Sequence, residues 1–124
     1  MTRTFKLPAV AAAFAAVLFS ASAAPAADIT FVMKNNHPNA VEVELYSQDR
    51  DHVWPGNGQI YYLDDGETKT MALSCQDGEK ICYGAWISGD KSTYWGVGPG
   101  NSEACDNCCY TCSGGNTEEI NLDE

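Results

Sequence analysis

Four of the six cysteines, Cys105, Cys108, Cys109 and Cys112, fall within eight residues, and they form two C-x-x-C pairs. Such spacing serves three chemistries: a redox dithiol, thiolate ligands for zinc, or disulfide staples. Redox dithiols of this spacing belong near a βαβ pattern, which this chain lacks. Zinc knuckles normally bring two C-x-x-C pairs from a dozen or more residues apart, whereas Cys108 and Cys109 are adjacent, an awkward start for a tetrahedral wrap. Three disulfides are therefore the expectation for an exported chain. Fifteen pairings of six cysteines exist. They include two C-x-x-C rings, Cys105 to Cys109 with Cys108 to Cys112, and links from the cluster to Cys75 and Cys82. These last two flank the connection 76–81, so one expectation is that they face each other across a hairpin and fix its register.

Export is read from the start of the chain. Arg3 and Lys6 precede an apolar run from Ala9 to Phe19, and small residues follow from Ser20 to Ala27. This is the order of a signal peptide, and the run is shorter than the roughly 20 residues a membrane span needs. A removed leader over 1–27, with cleavage before Ala27 or Asp28, leaves residues 28–124 as a single secreted domain with a cysteine-rich segment at 105–112. Secretion or periplasmic residence follows, without membrane insertion.

The 124-residue chain carries a formal charge of −10, and loss of Arg3 and Lys6 with the leader takes it to −12. A field of that sign repels phosphate backbones, so nucleic acid is excluded as a partner. The carboxylates are spread along the chain, which is how a protein keeps itself soluble.

Hydrophobic periodicity alternates with period two and never settles into helical spacing. In 40–47, Val41, Val43 and Leu45 share one face, and Glu42, Glu44 and Tyr46 share the other, so one side is buried and one wet. Further runs cover 29–34, 59–63, 67–74, 80–88, 92–97 and 117–122. Asp64-Asp65-Gly66, Gln76-Asp77-Gly78 and Gly89-Asp90 punctuate them as turns, the first reading as a tight hairpin. The expected fold is all-β: a small antiparallel β-sandwich of about seven short strands, stapled by disulfides.

Aromatic side chains are dense outside the obvious core positions. Within Tyr61-Tyr62 and Tyr94-Trp95 the neighbours must point to opposite sides of a strand. Indole and phenol rings combine a flat apolar face with a polar edge, which suits stacking on sugars or on a partner's side chains. Trp54, Tyr62, Trp86 and Trp95 are the candidate binding residues, with Trp54, in the polar segment 48–58, the leading one.

Catalytic machinery is hard to find. His37 precedes a proline in a turn, and His52 follows Asp49-Arg50-Asp51, which offers two carboxylates and an imidazole to a cation but fewer oxygens than a calcium loop needs. There is no G-x-S-x-G, no H-E-x-x-H and no phosphate-cradling glycine loop. The reading is of a non-enzyme with no catalytic residue, no metal and no cofactor.

Phe31 to Asn36, the charged second strand, Tyr62-Leu63-Asp64-Asp65-Gly66-Glu67 and Gly78-Glu79-Lys80-Ile81-Cys82 are together similar to the opening half of thaumatin-like proteins. That resemblance implies a secreted β-sandwich; the length, most of the cysteines and the acidic-cleft residues of that family have no counterpart here. The chain also resembles small uncharacterised secreted bacterial proteins, a class that implies no activity. The function expected is an exported binding or structural domain that recognises a glycan or protein surface through exposed aromatics. The alternative is a thiol-redox or metal-binding role for Cys105 to Cys112. Oligomeric state is not encoded in any of these signals.

Overall fold

The computed structural model describes residues 25–123, so the expected leader lies outside the described residues up to position 24. Among the described residues there are nine strands and no α-helix: β1 (Ala26–Asn35), β2 (Val41–Ser47), β3 (Val53–Trp54), β4 (Tyr61–Leu63), β5 (Thr68–Gln76), β6 (Lys80–Ile87), β7 (Asp90–Gly96), β8 (Cys109–Thr111) and β9 (Asn116–Leu122). Seven were expected; β3 and β8, with two and three residues, are too short to leave a periodic trace.

The strands form the two sheets of a sandwich. One has the order β5-β1-β9, and the other the order β3-β2-β6-β7, with β4 also on β2 and β8 also on β6. All pairings are antiparallel except β1 with β9, which is parallel. Val41, Val43 and Leu45 of β2 are fully buried against Phe31 and Met33 of β1 and Leu63, Met71 and Leu73, as the alternation requires. Each such side chain contributes about 1.5–3 kcal/mol on burial.

Turn chemistry proves more reliable than turn partnership. Ser88-Gly89 does join two paired strands, with Ile87 opposite Asp90 and Gly89 at φ +82°. The Asp64-Asp65-Gly66 turn instead leads from β4 in one sheet to β5 in the other, and so does Gln76-Asp77-Gly78 from β5 to β6. Both are sheet-crossing corners, because each flanking strand finds a longer partner, β1 or β2, elsewhere.

This geometry decides the disulfides. Cys75 and Cys82 lie in different sheets and do not pair with one another; Cys75 bonds Cys112, Cys82 bonds Cys109, and Cys105 bonds Cys108. No free cysteine remains. Cys82 and Cys109 are directly opposite in the β6–β8 ladder, while Cys75 to Cys112 ties the three-stranded sheet to the segment after β8. Bridges of this kind form and persist in oxidising compartments. No helix among the described residues is long and apolar enough to cross a membrane.

Candidate functional site

The alternation that buries Val41 and Val43 must turn Glu42 and Glu44 outward, and register carries this across the sheet. Tyr62 of β4 lies opposite Glu42 of β2, Glu42 opposite Trp86 of β6, and Trp86 opposite Tyr94 of β7. Four strands thus contribute one side chain each to a row on the outer face. At about 4.8 Å per strand, the row runs roughly 14 Å from Tyr62 to Tyr94.

Tyr62 and Tyr94, at the two ends, are each 43% exposed, and they are the exposed large hydrophobic side chains among the described residues. Trp86 between them is 3% exposed. Its indole N–H donates to Glu42 Oε2 at 2.8 Å, and the Lys91 ammonium lies 5.9 Å from its ring centre. Indole and carboxylate are thereby held in place, while the two phenols stay free. The row presents two flat rings, two phenolic hydroxyls, a carboxylate and an ammonium to solvent. This set can stack on an apolar face of a ligand and hydrogen-bond its hydroxyls.

Over Tyr46 and Cys82 the outer face is covered by the segment that follows β7. Val97 and Cys108 pack on Tyr46 and Cys82, and the Gly100 N–H donates to the Tyr46 hydroxyl at 2.9 Å. Burial pushes the Tyr46 phenol up to about 12, so it stays protonated. Gly84 lets this segment cross the sheet: a Cβ there would stand 2.1 Å from the Gly98 carbonyl oxygen.

Of the four aromatic residues singled out from sequence, the structure brings together Tyr62 and Trp86 and sends the other two elsewhere. Trp54 was expected to be exposed and is not: β3 pairs with β2, which sets Trp54 opposite Leu45 on the core side, 8% exposed, with its N–H donating to the Ser74 carbonyl at 3.1 Å. Trp86 is likewise covered, so its role is to brace the row. Trp95 lies opposite Ala85 and packs partly buried against the core; its N–H donates to the Asp123 carbonyl at 2.8 Å and the His37 ring meets it edge-on. Two members of the row, Glu42 and Tyr94, were absent from the candidate set. Alternation marks Glu42 as outward-facing, whereas for Tyr94-Trp95 it requires only that one ring lie on each side of the strand, and the ring chosen, Trp95, is the inward one.

The Asp49-Arg50-Asp51-His52 segment does not converge on a cation. Asp49 accepts from the Lys80 N–H and Arg50 pairs with Glu79, and no group of three or more His, Cys, Asp or Glu among the described residues is placed to hold a metal. His52 instead stacks edge-on against Trp54, 4.5 Å between ring centres.

Fold and site together define a small, disulfide-stapled β-sandwich with an aromatic row on one outer face. In comparison with known proteins, no family model, curated protein or solved structure matches the chain.

Proposed function

We propose that the protein is an exported, non-enzymatic binding domain, secreted or periplasmic, that recognises a glycan through the outer row, with Tyr62 and Tyr94 stacking on sugar faces and Glu42 and Lys91 hydrogen-bonding to hydroxyls. The observation that carries this reading is that both exposed large aromatics share one face with Glu42 between them. Exposed apolar rings cost solubility unless a partner covers them, and an aromatic face rimmed by polar groups suits a hydroxyl-rich ligand.

The test is retention of the purified mature protein on a panel of insoluble polysaccharides, beside the Tyr62→Ala and Tyr94→Ala variants. Each ring removed costs about 1–1.5 kcal/mol, so affinity for the retaining polymer drops roughly tenfold per variant. Melting temperature stays within a few degrees, because neither ring is in the core. Undiminished retention of the double variant would rule out the row as the glycan site.

A second reading rests on the Cys105–Cys108 ring, which is of C-x-x-C type and joins no two strands. A thiol-exchange role predicts that mild reductant opens this ring first, releasing two thiols while the sandwich stays folded. Cooperative release of all six thiols on unfolding would exclude it. With every sulfur already paired, none of the four clustered cysteines offers a thiolate to a metal in this state.

A further inference from the structure

The geometry of the outer row also selects the kind of glycan, an inference that rests on the binding function proposed above. Tyr62 and Tyr94 are three strand intervals apart, roughly 14 Å. Between them the floor is fixed, because Trp86 is covered and its indole is bonded to Glu42. A single sugar ring therefore reaches one phenol and never both.

What flanks the row decides how a ligand lies on it. Gly84 shares the outer face of β6 with Trp86, two residues away, and the segment after β7 crosses the sheet there. The same segment touches the end of the row, since a Cβ on Gly98 would stand 3.2 Å from Tyr94 Cδ2. On the other flank Lys91, beside the β6–β7 turn, stands over the Trp86 ring. A ligand is thus steered along the row, across the strands. Among the described residues β4 pairs only with β2 and β7 only with β6, so the row runs from one edge of the sheet to the other and is open at both ends. A polymer can pass through, and no wall meets a chain end.

We propose that the row binds a single extended chain of β-1,4-linked, gluco-configured sugars, four units at a time and away from the chain ends. A pyranose in a fully extended, equatorially linked chain advances as far as one strand lies from the next, roughly 5 Å. Four consecutive units then lie over Tyr62, Glu42, Trp86 and Tyr94 in turn. Successive units of such a chain are flipped over, so the first and fourth present opposite faces to the two phenols. Both faces must be apolar for both rings to stack, which holds when every ring substituent is equatorial and fails when one hydroxyl is axial. Over the middle units, Glu42 Oε1, which takes no bond from Trp86, accepts from a hydroxyl, and the Lys91 ammonium donates to one. The strong negative charge of the protein turns away polyanionic chains.

The probes are β-1,4-linked oligomers of glucose and of N-acetylglucosamine, two to six units long, titrated into the mature protein and followed by amide chemical shifts. The two series distinguish a hydroxyl from an acetamide on the sugar. In the series that binds, affinity should rise about tenfold between three and four units, the worth of a second stacked ring, and beyond that only with the number of registers available. Tyr62→Ala and Tyr94→Ala should each lose about tenfold for the hexamer but only about twofold for the dimer, which still has the other ring. Tyr62→Phe, which keeps the ring, should keep the rise. α-1,4-linked glucose oligomers, which curve, and β-1,4-linked mannose oligomers, which carry an axial hydroxyl, should show none. An equal rise with either control, or no rise in both gluco series, would overturn the proposal. The broader glycan reading fails by a different result, retention on insoluble polysaccharide that ignores the loss of both tyrosines.

Discussion

Replacing Cys75 and Cys112 together by alanine is expected to lower the melting temperature by about 20 °C, the largest loss among the three bridges. The two are 37 residues apart in sequence, and cross-linking a loop of that size removes about 4 kcal/mol of denatured-chain entropy. A domain of this length holds only about 5–15 kcal/mol in total, and each kcal/mol shifts its melting point by about 4–8 °C. Both sulfurs are also buried, at 5% and 0% exposure, so their loss leaves small voids in the main core. The Cys105→Ala/Cys108→Ala pair makes the useful contrast. Three residues separate these cysteines, and closing so short a ring contributes about 2 kcal/mol. Thermal melts of the two double variants, with intact masses before and after reduction to count bridges, check the ordering. Equal losses, or a larger one at Cys105 and Cys108, would contradict it.

Glu79 should give the second large effect, and it should be readable in the pH dependence. Its side chain is 1% exposed, yet it is ionised, because the Arg50 guanidinium bonds both carboxylate oxygens while the Ser47 hydroxyl and the Gln76 N–H add further donors. Together they clamp the 48–53 loop onto the corner between β5 and β6. Arg50, then the Ser47 and Gln76 hydrogen bonds, outweigh burial and hold the carboxyl down at about 2, against 4.5 for a free side chain.

A folded-state value below the unfolded one means that protons bind the unfolded chain more readily. The stabilisation is therefore complete above pH 4.5 and is lost as pH falls toward 2. It amounts to about 3 kcal/mol. Glu79→Ala removes one partner of a buried pair, which typically costs about 3–5 kcal/mol. The low end applies here, since Arg50 is 35% exposed and can turn to water. Denaturant unfolding at pH 7, 4 and 2.5 provides the measurement. Glu79→Gln should be weakened at pH 7 and show a much shallower decline on acidification than the parent. A parallel decline in both would assign the acid sensitivity to other carboxylates. Asp90, held low by its Ser92 hydrogen bonds, is fully exposed and is the natural control.

How far each feature could be read in advance follows from the range of the interaction behind it. Alternation in 40–47 located β2, its buried face and its outward Glu42, because side-chain direction along a strand is a local property. Gly89-Asp90 located a turn for the same reason, and the pairing of β6 with β7 makes it a hairpin. The other two turn signals were equally good turns but wrong hairpins, since a turn residue reports backbone conformation and not the sheet that the next strand joins. Trp54 was misplaced because two residues, Val53 and Trp54, are too few to show a period, yet enough to pair with β2 and swing the indole into the core. Parallel pairing of β1 with β9 left no local mark at all.

By itself, then, the sequence determined an acidic, all-β chain with two-sided strands, six cysteines destined for bridges, and more aromatic rings than a small core needs. All of these depend on residue type and on neighbours along the chain. Tertiary structure alone decided which cysteines meet and which rings share a face. Those outcomes depend on register between strands that are distant in sequence: a one-residue slip of β4 or β7 against its partner would turn Tyr62 or Tyr94 to the opposite side of the sheet and dissolve the row.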